Sequence, residues 1–147
     1  MSSITSHDIT QLADLDLFVE MVAQAIIPGT VLALSGDLGA GKTTFTQHLL
    51  KVLGVTSSVT SPTFVLMNRY QSQQDQPIYH LDLYRLQNNQ ELMQLGLDEL
   101  FQQPNIVIIE WPELAAEMLP PTTWNLQFKL DENQNRTVTL EKNGAHS

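Results

Sequence analysis

The nine residues from Gly36 to Thr44, GDLGAGKTT, put three glycines, a lysine and two threonines directly behind the apolar run Thr30 to Ser35. Gly36, Gly41, Lys42 and Thr43 satisfy the pattern G-x-x-x-x-G-K-[ST], which needs a strand before it and a helix after it. The chemistry such a stretch can do is to hold phosphate. Glycine lets the main chain curl tightly enough for successive N–H groups to point at one anion, and a helix beginning at Lys42 adds the positive end of its dipole. On this reading Gly36, Asp37, Leu38, Gly39, Ala40, Gly41, Lys42, Thr43 and Thr44 bind the nucleotide. The Lys42 ammonium lies on the β and γ phosphates, and the Thr43 hydroxyl completes the shell of a magnesium ion. The competing reading is a glycine-rich turn carrying a surface lysine, against which the flanking strand and helix weigh.

A second metal contact is expected from a carboxylate at the end of a neighbouring buried strand. Glu110, which closes IVIIE, is the acidic residue so placed, touching the metal directly or through water; otherwise it is a solvated strand end. Trp111 behind it offers an aromatic face to a nucleotide, or a core side chain. In IYHLDLYR, period-two alternation puts His80, Asp82 and Tyr84 on one face and Tyr79, Leu81 and Leu83 on the other. Asp82 within reach of a γ-phosphate could position or deprotonate the attacking water, or hold magnesium through a water molecule. On an exposed hairpin face it would instead pair with Arg69 or Arg85. Arg85 could offset transition-state charge, and Ser61 and Thr63 could sense the γ-phosphate or only shape their turn. Neither N-K-x-D nor L-S-G-G-Q occurs, so adenine is favoured over guanine and a transporter-type ATPase has no support.

These residues need elements to position them. Leu15, Phe18, Val19, Val22 and Ile26 recur at helical spacing and predict a helix over 12–27, capped by Thr10 or Asp14 and ended by Pro28 and Gly29. Val31 to Leu34 reads as a buried strand, and Lys42 to Leu53 as a helix closed by Gly54. The hydroxyl-rich stretch Thr56 to Thr63 reads as a loop over a polar site. Phe64 to Tyr70 and Ile78 to Tyr84 form a hairpin with a glutamine-rich tip. A helical region over 90–101 is interrupted at Gly96, Ile106 to Ile109 is a central strand, and 124–130 and 136–141 are the last extended stretches. Alternating strands and helices predict a three-layer α/β domain of the P-loop NTPase type, its sheet mostly parallel with an inserted antiparallel hairpin.

Composition bounds the partners. The 147 residues are expected to form a single domain, 1–147, and the lack of cysteine excludes disulfides, thiolate zinc sites and cysteine nucleophiles. Seven Lys and Arg against sixteen Asp and Glu give a formal charge of −9, with the basic residues scattered. Autonomous nucleic-acid binding is therefore not expected, because it depends on basic patches that neutralise phosphate. The opening MSSITSHDITQ has neither a basic nor an apolar export segment, and no apolar run approaches the roughly 18 residues of a membrane span. A cytosolic setting is expected.

Four segments taken together resemble one family. GDLGAGKTT, SPTF at Ser61 to Phe64, YHLDLYR at Tyr79 to Arg85 and IEWP at Ile109 to Pro112 are similar in order and spacing to TsaE, formerly YjeE, the small bacterial ATPases of tRNA threonylcarbamoyladenosine biosynthesis. The resemblance covers nearly the whole chain, although the part after Pro120 carries no motif. It implies an ATPase of weak intrinsic turnover that associates with the TsaD and TsaB proteins. Their complex transfers a threonylcarbamoyl group to the adenosine beside the anticodon in tRNAs reading codons that begin with A. The resemblance also implies that Thr43 and Glu110 go with magnesium and Asp82 with hydrolysis, that Trp111 falls on the family's tryptophan, and that tRNA is met only through partners. Two other readings use the same loop. A small-molecule kinase would need a second-substrate pocket and an arginine-bearing lid, for which Arg69, Arg85 and Arg136 are the candidates. A nucleotide-dependent switch would bind its partners with hydrolysis incidental.

Overall fold

The computed structural model describes residues 3–37, 39–56, 67–84, 86 and 89–143. In chain order these form β1 (Ser3–Asp8), α1 (Leu12–Ala25), β2 (Val31–Gly36), α2 (Lys42–Val52), β3 (Met67–Gln71), β4 (Pro77–Asp82), α3 (Asn89–Gln94), α4 (Leu97–Gln102), β5 (Ile106–Glu110), a 3₁₀ helix (Pro112–Met118), β6 (Trp124–Leu130) and β7 (Arg136–Lys142). The seven strands make one sheet in the order β1-β7-β6-β2-β5-β4-β3.

The unbroken apolar runs Val31 to Leu34 and Ile106 to Ile109 lie side by side in the middle of that sheet, where both faces are covered. One face packs against α1 and α2: Leu15, Phe18, Val19 and Val22 of α1 and Phe45, Leu49 and Leu50 of α2 meet Leu32, Leu34, Ile108, Leu126 and Phe128. The opposite face carries α3, α4 and the 3₁₀ helix, with Leu92, Leu97 and Ala115 against Val31, Leu81, Val107 and Ile109. The three expected layers are therefore present.

The sheet is mixed. Parallel pairing is confined to the four central strands β6, β2, β5 and β4, while β3 pairs antiparallel with β4 at one edge and β7 and β1 extend the other edge antiparallel. The antiparallel content exceeds the expected hairpin because the short Asp131–Asn135 connection can join β6 and β7 only as a second hairpin; a parallel join needs a crossover of a dozen or more residues. β1 had no counterpart among the expected strands. It is polar and mostly exposed, an edge strand formed on the free side of β7.

Local details follow the residues. Helix α1 ends at Ala25, two residues before the expected limit, because Pro28 lies just beyond and Ile26 is already extended. Neither Thr10 nor Asp14 caps it: the N-cap is Gln11, without a side-chain bond. The Thr10 hydroxyl is used elsewhere, accepting the Arg136 N–H at 2.9 Å and donating to the Arg136 carbonyl, which ties the start of α1 to β7. Helix α2 closes as expected, with the Gly54 N–H on the Lys51 carbonyl and the Val55 N–H on the Leu50 carbonyl. Gly96 separates α3 from α4. Residues 57–66, which hold the hydroxyl-rich loop and the first part of the expected hairpin strand, lie outside the described residues.

Candidate functional site

The phosphate-type loop joins the end of the central strand β2 to the start of α2. At Gly36, φ is +133°, and a Cβ built there would lie 2.2 Å from the Phe128 carbonyl oxygen of β6. Only glycine lets the chain leave the sheet this close to its neighbour. Gly41, at φ +112° and ψ 9°, turns the chain into α2, whose first helical bond runs from the Phe45 N–H to the Gly41 carbonyl. No side chain caps this helix, so its positive end faces the loop unshielded by a carboxylate or hydroxyl cap. Within the loop the Ala40 N–H bonds the Asp37 carbonyl, and Ala40 is buried. Asp37, Gly39 and Thr44 are exposed, Thr43 is half-buried, and Leu38 lies outside the described residues.

Lys42 opens α2 and is buried at 4% exposure. Its Nζ donates to the Gly36 carbonyl at 2.6 Å and sits 3.6 Å from the centroid of the Trp111 ring. The ammonium thus lies across the mouth of the loop, held by a carbonyl and an aromatic face. Burial lowers its pKa from the usual lysine value, and the charges of Glu110, Glu113, Asp82 and Asp37 oppose that shift. Four carboxylates therefore act on one cation. Glu113, on the 3₁₀ helix directly after Pro112, belongs to this group and was not singled out in the sequence, because no periodic pattern marks that turn.

Parallel register delivers two of those carboxylates. β4 and β5 pair with Asp82 opposite Glu110 and His80 opposite Ile108. Glu110 is buried, and its Oε2 accepts a hydrogen bond from His80 Nε2 at 2.6 Å. It is not a solvated strand end. Asp82 is half-buried, and its Oδ1 accepts the Tyr84 N–H at 3.0 Å. Burial raises the Asp82 carboxyl above the usual carboxylate range; the Tyr84 N–H opposes this and the charge of Glu110 adds to it. The suggested pairing of Asp82 with Arg69 does not occur, since Arg69 donates through Nε to the Tyr79 hydroxyl at 3.2 Å. Arg85, Ser61 and Thr63 lie outside the described residues.

Trp111 follows Glu110 in a left-handed backbone conformation, φ 58° and ψ 60°, which is uncommon for a bulky residue and concentrates at functional sites. Its N–H donates to the Leu34 carbonyl at 3.2 Å, so the turn is stitched to the strand that carries the loop. The ring is half-exposed, covers Lys42 on one side and meets Tyr84 at 5.0 Å between centroids. It is a half-exposed side chain beside Lys42 rather than a core one.

Two further residues reach the site without a sequence signal that would assign them a role. His80 shares the polar face of its strand with Asp82, but nothing in spacing says that it meets Glu110. Arg136, on β7, donates through Nε to the Gly39 carbonyl at 3.3 Å, while its main chain is held by Thr10. That approach exists only because β7 returns alongside β6.

Among the described residues no three His, Asp or Glu side chains form a cage able to hold a metal alone. This donor set suits magnesium carried by a nucleotide, which takes one or two protein oxygens and completes its octahedron with phosphate and water. Among the described residues the buried Glu110 carboxylate is a hard oxygen donor of the kind magnesium prefers, and Asp82 stands opposite it on β4.

Comparison with known proteins gives a consistent result. The family profile described as "Threonylcarbamoyl adenosine biosynthesis protein TsaE" matches residues 9–138, which takes in the loop, both carboxylates, Trp111 and most of the segment after Pro120. A Bacillus subtilis (strain 168) protein called "tRNA threonylcarbamoyladenosine biosynthesis protein TsaE" is 42% identical over 113 residues, covering 77% of this chain and 70% of that protein. A Rickettsia prowazekii protein of the same name is 32% identical over 137 residues, 92% of this chain and 94% of the other. Among solved structures, one titled "Crystal structure of Bacillus subtilus YdiB" superposes with a TM-score of 0.81 at 31% identity, covering 98% of this chain and 88% of that one.

Proposed function

The chain belongs to the TsaE family, and from that membership we propose that it is a P-loop ATPase serving the threonylcarbamoyl modification of the adenosine next to the anticodon in tRNAs that read codons beginning with A. One observation carries the reading: Lys42 crosses the mouth of a glycine loop while Glu110 and Asp82 face it from adjacent strands. ATP is the nucleotide, and the loop from Gly36 to Thr44 cradles its phosphates through main-chain amides other than that of Ala40, which bonds the Asp37 carbonyl. Lys42 exchanges the Gly36 carbonyl for β and γ phosphate oxygens, a stronger charge-assisted contact. Thr43 and Glu110 hold magnesium, which when bound neutralises charge on the phosphate oxygens. Asp82 orients the attacking water or takes its proton, and Trp111 closes over the loop.

The partners are the TsaD and TsaB proteins, and tRNA is reached only through them. The formal charge of −9 and the scattered basic residues support this, since gripping RNA alone depends on basic patches that neutralise phosphate. No helix of the described residues is long and apolar enough to cross a membrane, and the setting proposed is the cytoplasm. Purified chain with ATP and magnesium, alone and with TsaD and TsaB, tests the reading. Phosphate release should be slow alone and rise strongly with the partners, in step with modified tRNA. Release that ignores the partners, or phosphate moved to a small molecule, would reject it.

A further inference from the structure

The buried pair of His80 and Glu110 is not used by the reaction just described, which needs only the Glu110 carboxylate. His80 is 1% exposed and Glu110 3% exposed, and they meet at 2.6 Å. An ionised carboxylate accepts only, so His80 Nε2 is the donor. His80 Nδ1 is buried and has no hydrogen-bond partner among the described residues. Nε2–H thus points at Glu110, while the Nδ1 edge finds no partner. Among the described residues the Glu110 contact is therefore the one polar interaction that fixes the ring.

We propose that His80 is a positioning residue for the metal site: it fixes the rotamer of Glu110 by holding Oε2, so that the carboxylate meets a nucleotide-bound divalent cation already oriented. The proposal rests on the nucleotide and metal reading above. Glutamate has three side-chain torsions, and freezing them before the ion arrives removes an entropy cost from binding. Partners that orient ligating carboxylates in this way typically carry a tenfold to hundredfold share of metal affinity. The location fits. β4 and β5 are both central, and their parallel register sets His80 two residues before Asp82 on the same face, so one strand supplies the water-orienting carboxylate and the brace for the metal-binding one.

The test is the affinity for Mn²⁺ in the presence of ADP, read by electron paramagnetic resonance on free Mn²⁺, together with ADP affinity in EDTA by calorimetry. Gln places its amide nitrogen near the position of Nε2, whereas Asn places it near Nδ1, away from Glu110. His80→Gln should bind Mn²⁺ within a few-fold of the parent. His80→Asn and His80→Leu should bind it roughly 10 to 100 times more weakly, with ADP affinity in EDTA unchanged in all three. Equal Mn²⁺ affinity in His80→Gln and His80→Asn would overturn the positioning role even if His80→Leu failed to fold. Glu110→Gln separates the two readings. If it weakens Mn²⁺ binding while the His80 variants do not, only the inference on His80 fails. If the parent chain with ADP binds no Mn²⁺, the metal reading itself falls.

Discussion

Asp82 and Glu110 stand opposite each other on the parallel strands β4 and β5, one half-buried and bonded to the Tyr84 N–H, the other buried and bonded to His80. Placing two carboxylates side by side near a single lysine costs stability that a protein selected only for stability would recover.

That cost can be measured at Asp82. Burial raises its carboxyl above the usual carboxylate range, so the folded state binds the proton more tightly than the unfolded chain. Its contribution to stability is then full below the ordinary carboxylate pKa and is lost as the pH rises through the raised value. Asp82→Asn, neutral throughout, should raise Tm at neutral pH by something on the order of a degree or two, with the gap closing below about pH 4. The same change should abolish partner-stimulated phosphate release and leave nucleotide affinity intact. Calorimetric scans across pH, with a phosphate-release assay, check both halves; a Tm gap independent of pH would count against the raised carboxyl.

Gly36 makes a steric prediction. A methyl group at this position meets the Phe128 carbonyl at 2.2 Å and would force β2 and β6 apart, whereas Gly39, also left-handed, has open space around the same construction. Gly36→Ala should lose roughly 1–3 kcal/mol or more in urea unfolding, and Gly39→Ala clearly less. Equal losses would mean that backbone conformation, not the close approach to β6, is what demands glycine at the first position of the loop.

Much of this arrangement could be read from residue order. The stripe of Leu15, Phe18, Val19 and Val22, the apolar runs around Leu32 and Ile108, and the glycines flanking Lys42 each encode their own element, because each depends on neighbours within a turn or two of chain. Asp82, Glu110 and Trp111 could be singled out because they sit at the ends of such elements. What could not be read depends on pairing between distant segments. β1 is a strand because β7 offers it a free edge, and its own polar residues do not announce one. The bond from His80 to Glu110 exists only in one register of β4 on β5, and the reach of Arg136 to Gly39 only when β7 folds back on β6. Glu113 acts on Lys42 through a 3₁₀ turn that no periodic pattern marks.

Trp111 should report nucleotide binding. Its ring lies 3.6 Å from the Lys42 ammonium, and phosphate that draws Lys42 off the Gly36 carbonyl must change the surroundings of the indole. Addition of ADP or ATP should shift the intrinsic fluorescence, a response that survives Trp124→Phe and disappears in Trp111→Phe. A signal that followed Trp124 instead, on β6 beneath Lys142, would place the bound molecule elsewhere.

Lys42 and Glu110 should fail in different ways when removed, because one is proposed to touch phosphate and the other only metal. Lys42→Ala loses charge-assisted bonds worth roughly 1.5–3 kcal/mol, so ADP affinity should fall about 10- to 100-fold with or without a divalent ion. Glu110→Gln keeps size and the burial of its side chain but gives the ion a neutral oxygen in place of an anionic one. Its ADP affinity in EDTA should match the parent, and the tightening that magnesium brings should shrink. Calorimetric titrations of ADP into the parent and each variant, in EDTA and in magnesium, give the six affinities needed. The reverse pattern, with Lys42→Ala sensitive only to magnesium and Glu110→Gln weak even in EDTA, would exchange the two roles and move the phosphates toward β5.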